Sequence, residues 1–143
     1  MKILVINGPN LNFLGIREVE VYGTVDFDYL RQLIHKKCAK DNILCSIFQS
    51  NHEGEIIDRL QEAYRDKTDA VVINPGAYSH YSYAIHDAIT SIQIPTVEVH
   101  ISDINAREPF RAISVTAEVC QLQIKGHGFN GYLEAIDYLL ENK

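Results

Sequence analysis

Glu98, His100 and Ser102 alternate with Val97, Val99 and Ile101 in the stretch VEVHISDINAREPFR, residues 97–111. Alternation by two puts the polar three on one face of a strand, with roughly 7 Å between the Cα atoms of Glu98 and His100. A carboxylate that close to an imidazole favours the imidazolium and orients it, which is what a general acid needs. The same pair also fits a purely structural role at a strand end. Arg107 and Arg111 follow four residues apart. They share a face if that turn is helical, and paired guanidiniums suit carboxylates or hydroxyl groups. Elsewhere such a pair would be ordinary surface charge.

Arg17 and Tyr22 lie in GIREVEVYG, a long segment between the first strand-like and first helix-like runs. Long connections in compact domains often act as lids. A phenol with its ordinary pKa of about 10 is a poor base at neutral pH. A neighbouring guanidinium favours the phenolate and can lower such a pKa by about 1 to 3 units. Arg17 with Tyr22 is thus a means of making a base for a carbon acid, set against a surface arginine and a packing tyrosine. The histidines are His35, His52, His80, His86, His100 and His127. None forms H-E-x-x-H or a Cys/His cluster with zinc spacing, so no metal is expected. GHGFNG, residues 126–131, fits G-x-G-x-x-G between a strand and a helix. Only 12 residues follow Gly131, too few for the second strand that would carry the ribose-binding acid. It is read as a tight strand-to-helix turn, and no cofactor is expected.

Those residues need a scaffold, and along the chain five strand-like runs alternate with helix-like runs. Strands are predicted at Ile3–Ile6, Ile43–Phe48, Ala70–Ile73, Thr96–Ile101 and Val119–Ile124. A helix capped by Asp26 runs through Phe27, Leu30, Ile34 and Cys38. Another spans Glu55–Tyr64, with Ile56, Ile57, Leu60, Ala63 and Tyr64 on one side. A third runs through Tyr83, Ala84, Ala88 and Ile92, and a last one carries Leu133, Ile136, Leu139 and Leu140. Neither period is clean over 102–118. Regular βαβ alternation calls for a parallel sheet with helices on both faces. Five strands suggest the flavodoxin-like order 2-1-3-4-5 in one domain, residues 1–143. Ligands then bind beyond the carboxyl ends of the strands. The loops there read NGPNLN (7–12), QSN (49–51), NPGAYSH (74–80), His100 to Ser102, and GHG (126–128). That rim of amides, hydroxyls and imidazoles suits a small polyhydroxylated or carboxylated ligand.

The composition fits that scale. The 143 residues are 46% hydrophobic and 22% charged, with net charge −6. No basic stripe offsets that charge, so no nucleic-acid partner is expected. Cys38, Cys45 and Cys120 are odd in number and lack C-x-x-C spacing, so buried free thiols are expected. MKILVING is too short for a signal peptide and no run could span a membrane, so a cytoplasmic protein is expected.

Together the stretches INGPNLNFLGIRE, YG at 22–23, QSNHEGEIID, INPGAYSHYSYAIHDA, IPTVEVHISDINAREPFR and GFNGY strongly resemble the type II dehydroquinase family. They run in order from residue 6 to 132. The resemblance implies a flavodoxin-like sheet and a homododecamer built from trimers. It implies a reaction, the loss of water from 3-dehydroquinate to give 3-dehydroshikimate through an enolate, a step of the shikimate pathway without metal or cofactor. It implies that Tyr22, activated by Arg17, takes the proton beside the ketone. It implies that Asn12 helps hold a water at the enolate oxygen, and that His100, held by Glu98, protonates the departing hydroxyl. By the same resemblance Asn74, Ser102 and the N–H groups of Ile101 and Ser102 bind the substrate carboxylate. His80 and Arg111 meet hydroxyls, Arg107 supports the tyrosine, and Asp87 reaches a neighbouring subunit's site. Val19 stands where the family commonly has proline, and Tyr81 is bulkier than usual. AISVTAEVCQLQ, residues 112–123, departs from the usual pattern. The rival readings are a flavodoxin-like binding module without catalysis and an inactive structural oligomer. A phosphoacceptor module would need an aspartate where Asn74 stands.

Overall fold

Burial along the two central strands is continuous, as a parallel sheet covered on both faces requires. β1 (Lys2–Asn7) is buried from Ile3 onward and β3 (Ala70–Asn74) throughout. The computed structural model describes residues 1–16 and 25–143. The remaining elements are α1 (Phe27–Lys40), β2 (Leu44–Gln49), α2 (Glu53–Arg65), α3 (Tyr83–Ile92), β4 (Thr96–His100), β5 (Leu122–Lys125) and α4 (Asn130–Glu141). The strands form one parallel sheet in the order β2-β1-β3-β4-β5. This is the flavodoxin-like arrangement expected from the sequence.

Alternate residues of each strand feed opposite faces. Ile3, Val5, Val72, Val97 and Val99 pack with Leu30 and Ile34 of α1 and with Tyr132, Ile136 and Leu139 of α4. Leu4, Ile6, Val71 and Ile73 pack with Ile56 and Leu60 of α2 and with Ile85 and Ile89 of α3. Asp26 caps α1 as expected, its carboxylate accepting from Tyr29 N at 2.9 Å.

Three expectations shift. In α3 the buried residues are Ile85, Ala88, Ile89 and Ile92, whereas Tyr83 and Ala84 are exposed. Ser82 sets that phase by capping at Ile85 N, and at about 100° per residue Tyr83 falls nearly opposite Ile85. Tyr64 lies at the edge of the α2 stripe and is 66% exposed. The fifth strand begins at Leu122, not Val119. The amides of Val119 and Cys120 turn back to Thr116 and Ala117, and pairing with β4 starts where Gln121 N meets Thr96 O. Cys38, Cys45 and Cys120 are free thiols, with Cys38 buried and the other two half-buried.

The loops after β1 and β3 meet at the switch point. Gly8 N donates to Asn74 O at 2.7 Å. A Cβ on Gly8 would stand 2.5 Å from the Pro75 carbonyl oxygen, so only glycine fits. Gly8→Ala is expected to cost about 1 to 3 kcal/mol through overpacking. Urea unfolding of the variant against the unsubstituted protein measures it.

Candidate active site

An inner strand must satisfy every polar group it buries. Glu98 is fully buried in β4, and four donors surround its carboxylate. Oε2 accepts from His100 Nε2 at 2.8 Å, Ser114 Oγ at 2.6 Å and Gln123 Nε2 at 2.9 Å. Oε1 accepts from Thr116 Oγ1. Gln123 faces Glu98 because the two are register partners on β4 and β5. Burial alone would raise the carboxyl pKa, but the hydrogen bonds from His100, Ser114 and Thr116 outweigh it and hold it below the ordinary 4.5.

That depression has a sign. A folded-state pKa below the unfolded one gives stability that is fully present above about pH 4.5 and is lost as pH falls through the folded value. Glu98→Gln sets an amide NH2 against those donors. It is expected to cost about 3 to 5 kcal/mol at neutral pH. The penalty is expected to shrink under acid, since the unsubstituted protein then loses its own contribution. Urea midpoints at neutral pH and below pH 4 check both.

His100 forms the floor of a pocket of about 110 Å³ at the carboxyl end of the sheet. With Nε2 committed to Glu98, Nδ1 is the ring nitrogen left for the pocket. Ile101 and Ser102 continue the lining after β4, Asn74 and His80 come from the end of β3 and beyond, and Asn10 comes from the loop after β1. Arg107 and Arg111 close the side from the two 3₁₀ turns Ile104–Ala106 and Pro109–Ala112. The carbonyls of Ile101 and Ser102 accept from Gly128 N at 3.0 Å and Gly126 N at 3.1 Å, so the GHG turn fixes those two peptides. His80 Nδ1 donates to Ile113 O at 2.8 Å. Burial lowers the His80 pKa, and the positive charges of His100 and Arg111 add to it against the opposing bond to Ile113. Arg111 pairs with Glu108 through Nε and lies 4.8 Å over the Phe110 ring. The pocket is thus small and lined by two guanidiniums and two imidazoles. Among the described residues no group of three or more His, Cys, Asp or Glu is placed to hold a metal ion. No described helix is long and apolar enough to cross a membrane.

A family model described as dehydroquinase class II matches residues 1–140. The chain belongs to this family. A 3-dehydroquinate dehydratase of Lachnoclostridium phytofermentans is 63% identical over 98% of the chain and 97% of its own length. One from Caldicellulosiruptor saccharolyticus is 56% identical over the same shares. The crystal structure of type II dehydroquinase from Butyrivibrio crossotus superposes with a TM-score of 0.97 at 60% identity, covering 98% of this chain and 97% of that one.

Around this pocket the sequence-derived residues divide. His100, Ile101, Ser102, Asn74, His80, Arg107 and Arg111 line one pocket, with Glu98 directly beneath His100. Asn74 is 3% exposed and its amide is engaged, donating to Tyr132 Oη at 2.9 Å and accepting from Gly76 N at 3.1 Å. Asn12 is exposed and lines a neighbouring hollow, its Oδ1 3.4 Å from Gln49 Nε2. Asn10, in a left-handed conformation at φ 69°, stands in the pocket instead. Asp87 lies exposed on α3 against His86 Nδ1 at 2.9 Å, away from the pocket of its own chain. Arg17, Tyr22 and the lid expectation lie outside the described residues. Sequence reasoning missed Ser114, Thr116 and Gln123. The available signal was that a carboxylate buried in an inner strand needs donors, and S-V-T at 114–116 offers two on one side.

Proposed function

We propose that this chain removes water from 3-dehydroquinate to give 3-dehydroshikimate through an enolate, with Tyr22 as base and His100 as acid. That it is an enzyme of the hydro-lyase class follows from its family. The observation that carries the finer reading is His100 on the pocket floor with Nε2 against Glu98. Expelling hydroxide at neutral pH is slow, and an imidazolium donating from Nδ1 delivers water as the leaving group instead. The proton beside the ketone is weakly acidic, so base and enolate stabiliser act together. In this reading Arg17 lowers the Tyr22 pKa, and Asn10 or Asn12 supports the water at the enolate oxygen. Asn74, Ser102 and the N–H groups of Ile101 and Ser102 hold the substrate carboxylate. His80 and Arg111 meet its hydroxyls, and Arg107 supports Tyr22.

A cytoplasmic homododecamer in which Asp87 serves a neighbouring copy belongs to the same reading. Tyr64, Tyr81 and Tyr83, each more than 60% exposed beside α2 and α3, supply apolar area for contacts between copies. The deciding experiment adds 3-dehydroquinate and follows the ultraviolet absorbance of the conjugated product. A rising signal is expected; folded protein giving none refutes the assignment.

A further inference from the structure

We infer that the stretch Ile113–Thr116, with Gln123 of β5, is a brace that fixes opposite tautomers on the two pocket imidazoles: Nε2–H on His100 and Nδ1–H on His80. Its catalytic consequence rests on His100 acting as the acid, as proposed above; its geometry does not.

The tautomers follow from which partners can donate. An ionised carboxylate only accepts, so His100 Nε2 must carry a hydrogen where it meets Glu98 at 2.8 Å. A carbonyl likewise only accepts, so His80 Nδ1 must carry one where it meets Ile113 O at 2.8 Å. The remaining nitrogens therefore differ. Neutral His80 offers the pocket a lone pair at Nε2. His100, once protonated, offers it an N–H at Nδ1. One imidazole is set to accept and the other to donate.

A single short stretch sets both. Ile113 supplies the carbonyl for His80. Ser114 and Thr116 donate to Glu98 from the same side of the chain, while Val115 between them is buried. Val115 N donates to Ser79 O at 2.7 Å, pinning the stretch to the turn that carries His80. Ala117 N donates to Ser114 Oγ at 3.2 Å, which leaves the serine proton for Glu98. Thr116 is fully buried, so no solvent substitutes for its hydroxyl. Gln123 completes the set from the opposite side. These three are positioning residues: with four donors engaged, the carboxylate keeps its charge dispersed and its place fixed. The charged and titratable neighbours are Arg107, Arg111 and His80 around the pocket, Lys125 as the register partner of His100, and Cys120, whose thiol burial and the Glu98 charge push up. None of them changes in the variants below.

The test has two arms. In ¹⁵N imidazole spectra of the unsubstituted protein at mildly alkaline pH, His100 is expected to carry its hydrogen on Nε2 and His80 on Nδ1. The same tautomer on both rings, or the reverse pair, overturns the inference. In the second arm, Thr116→Val removes one donor with little change of shape. Its kcat is expected to fall on the order of tenfold, as for one hydrogen bond to a charged group, with KM moving less. Thr116→Ser should restore the rate. A Thr116→Val variant with unchanged kcat, or a Thr116→Ser variant equally impaired, overturns the brace. Should Thr116→Val fail to fold, Ser114→Ala at its half-buried site carries the same expectations. A normal rate in His100→Ala would instead remove the acid assignment, and the spectra would still decide the tautomers.

Discussion

Replacing His100 by alanine is expected to lower kcat by roughly a hundred- to ten-thousandfold, the usual range for a lost general acid. Steady-state ultraviolet assays across pH measure it. The expectation rests on how the ring is held. Glu98 engages Nε2 inside the sheet, and Nδ1 is the nitrogen left for the pocket. Alanine also leaves the buried carboxylate one donor short, so lower stability would accompany the lower rate. His100→Gln separates the two effects. Its amide can still donate toward Glu98, yet it has no proton to give a leaving hydroxyl. It is expected to fold more stably than the alanine variant and to be as slow. A near-normal rate in His100→Gln rejects the acid role.

Much of this site was legible because strand periodicity is strict. Once VEVHIS is a strand, Glu98, His100 and Ser102 must share a face. Once five strands alternating with helices form a parallel sheet, the ends of β1, β3 and β4 must converge. Residues that reach the pocket through irregular backbone were harder to place. Asn10 and Asn12 flank Leu11 in one turn, and only the left-handed backbone at Asn10 decides which faces the pocket. Ser114 and Thr116 lie between two 3₁₀ turns, where no period announces a direction. Gln123 could be found only after its register against Glu98 was known. The α3 misassignment has the same root, because Tyr83 and Ala84 are apolar enough to read as core until the Ser82 cap fixes the phase. Exposed Tyr64 shows the complementary point: being apolar and near the stripe does not bury a residue at its edge.

Tyr22→Phe is expected to lower kcat by a similar hundred- to ten-thousandfold while the fold is kept. The proposed reading motivates this, and the pocket groups are consistent with it. The described titratable side chains lining the pocket are His80, His100, Arg107 and Arg111, with no carboxylate among them. Guanidiniums stay protonated at any working pH. If His100 enters the cycle protonated, as proposed, it cannot also take the first proton. In the proposed reading the two candidates are then Nε2 of His80 and Tyr22, which follows Arg17 by five residues in the sequence. A phenol at about 10 is nearly all protonated at neutral pH. A guanidinium that lowers it by about 1 to 3 units raises the phenolate fraction enough to serve as base. The low-pH limb of the rate profile then reports phenol ionisation, since the deprotonated form is active. Arg17→Lys keeps a charge but not the planar fork, and should move that limb upward. His80→Asn decides between the two bases. If Tyr22 is the base, His80→Asn keeps the low-pH limb and chiefly weakens substrate binding. If Tyr22→Phe runs near the normal rate while His80→Asn loses that limb, the proton goes to His80 and Tyr22 is not the base.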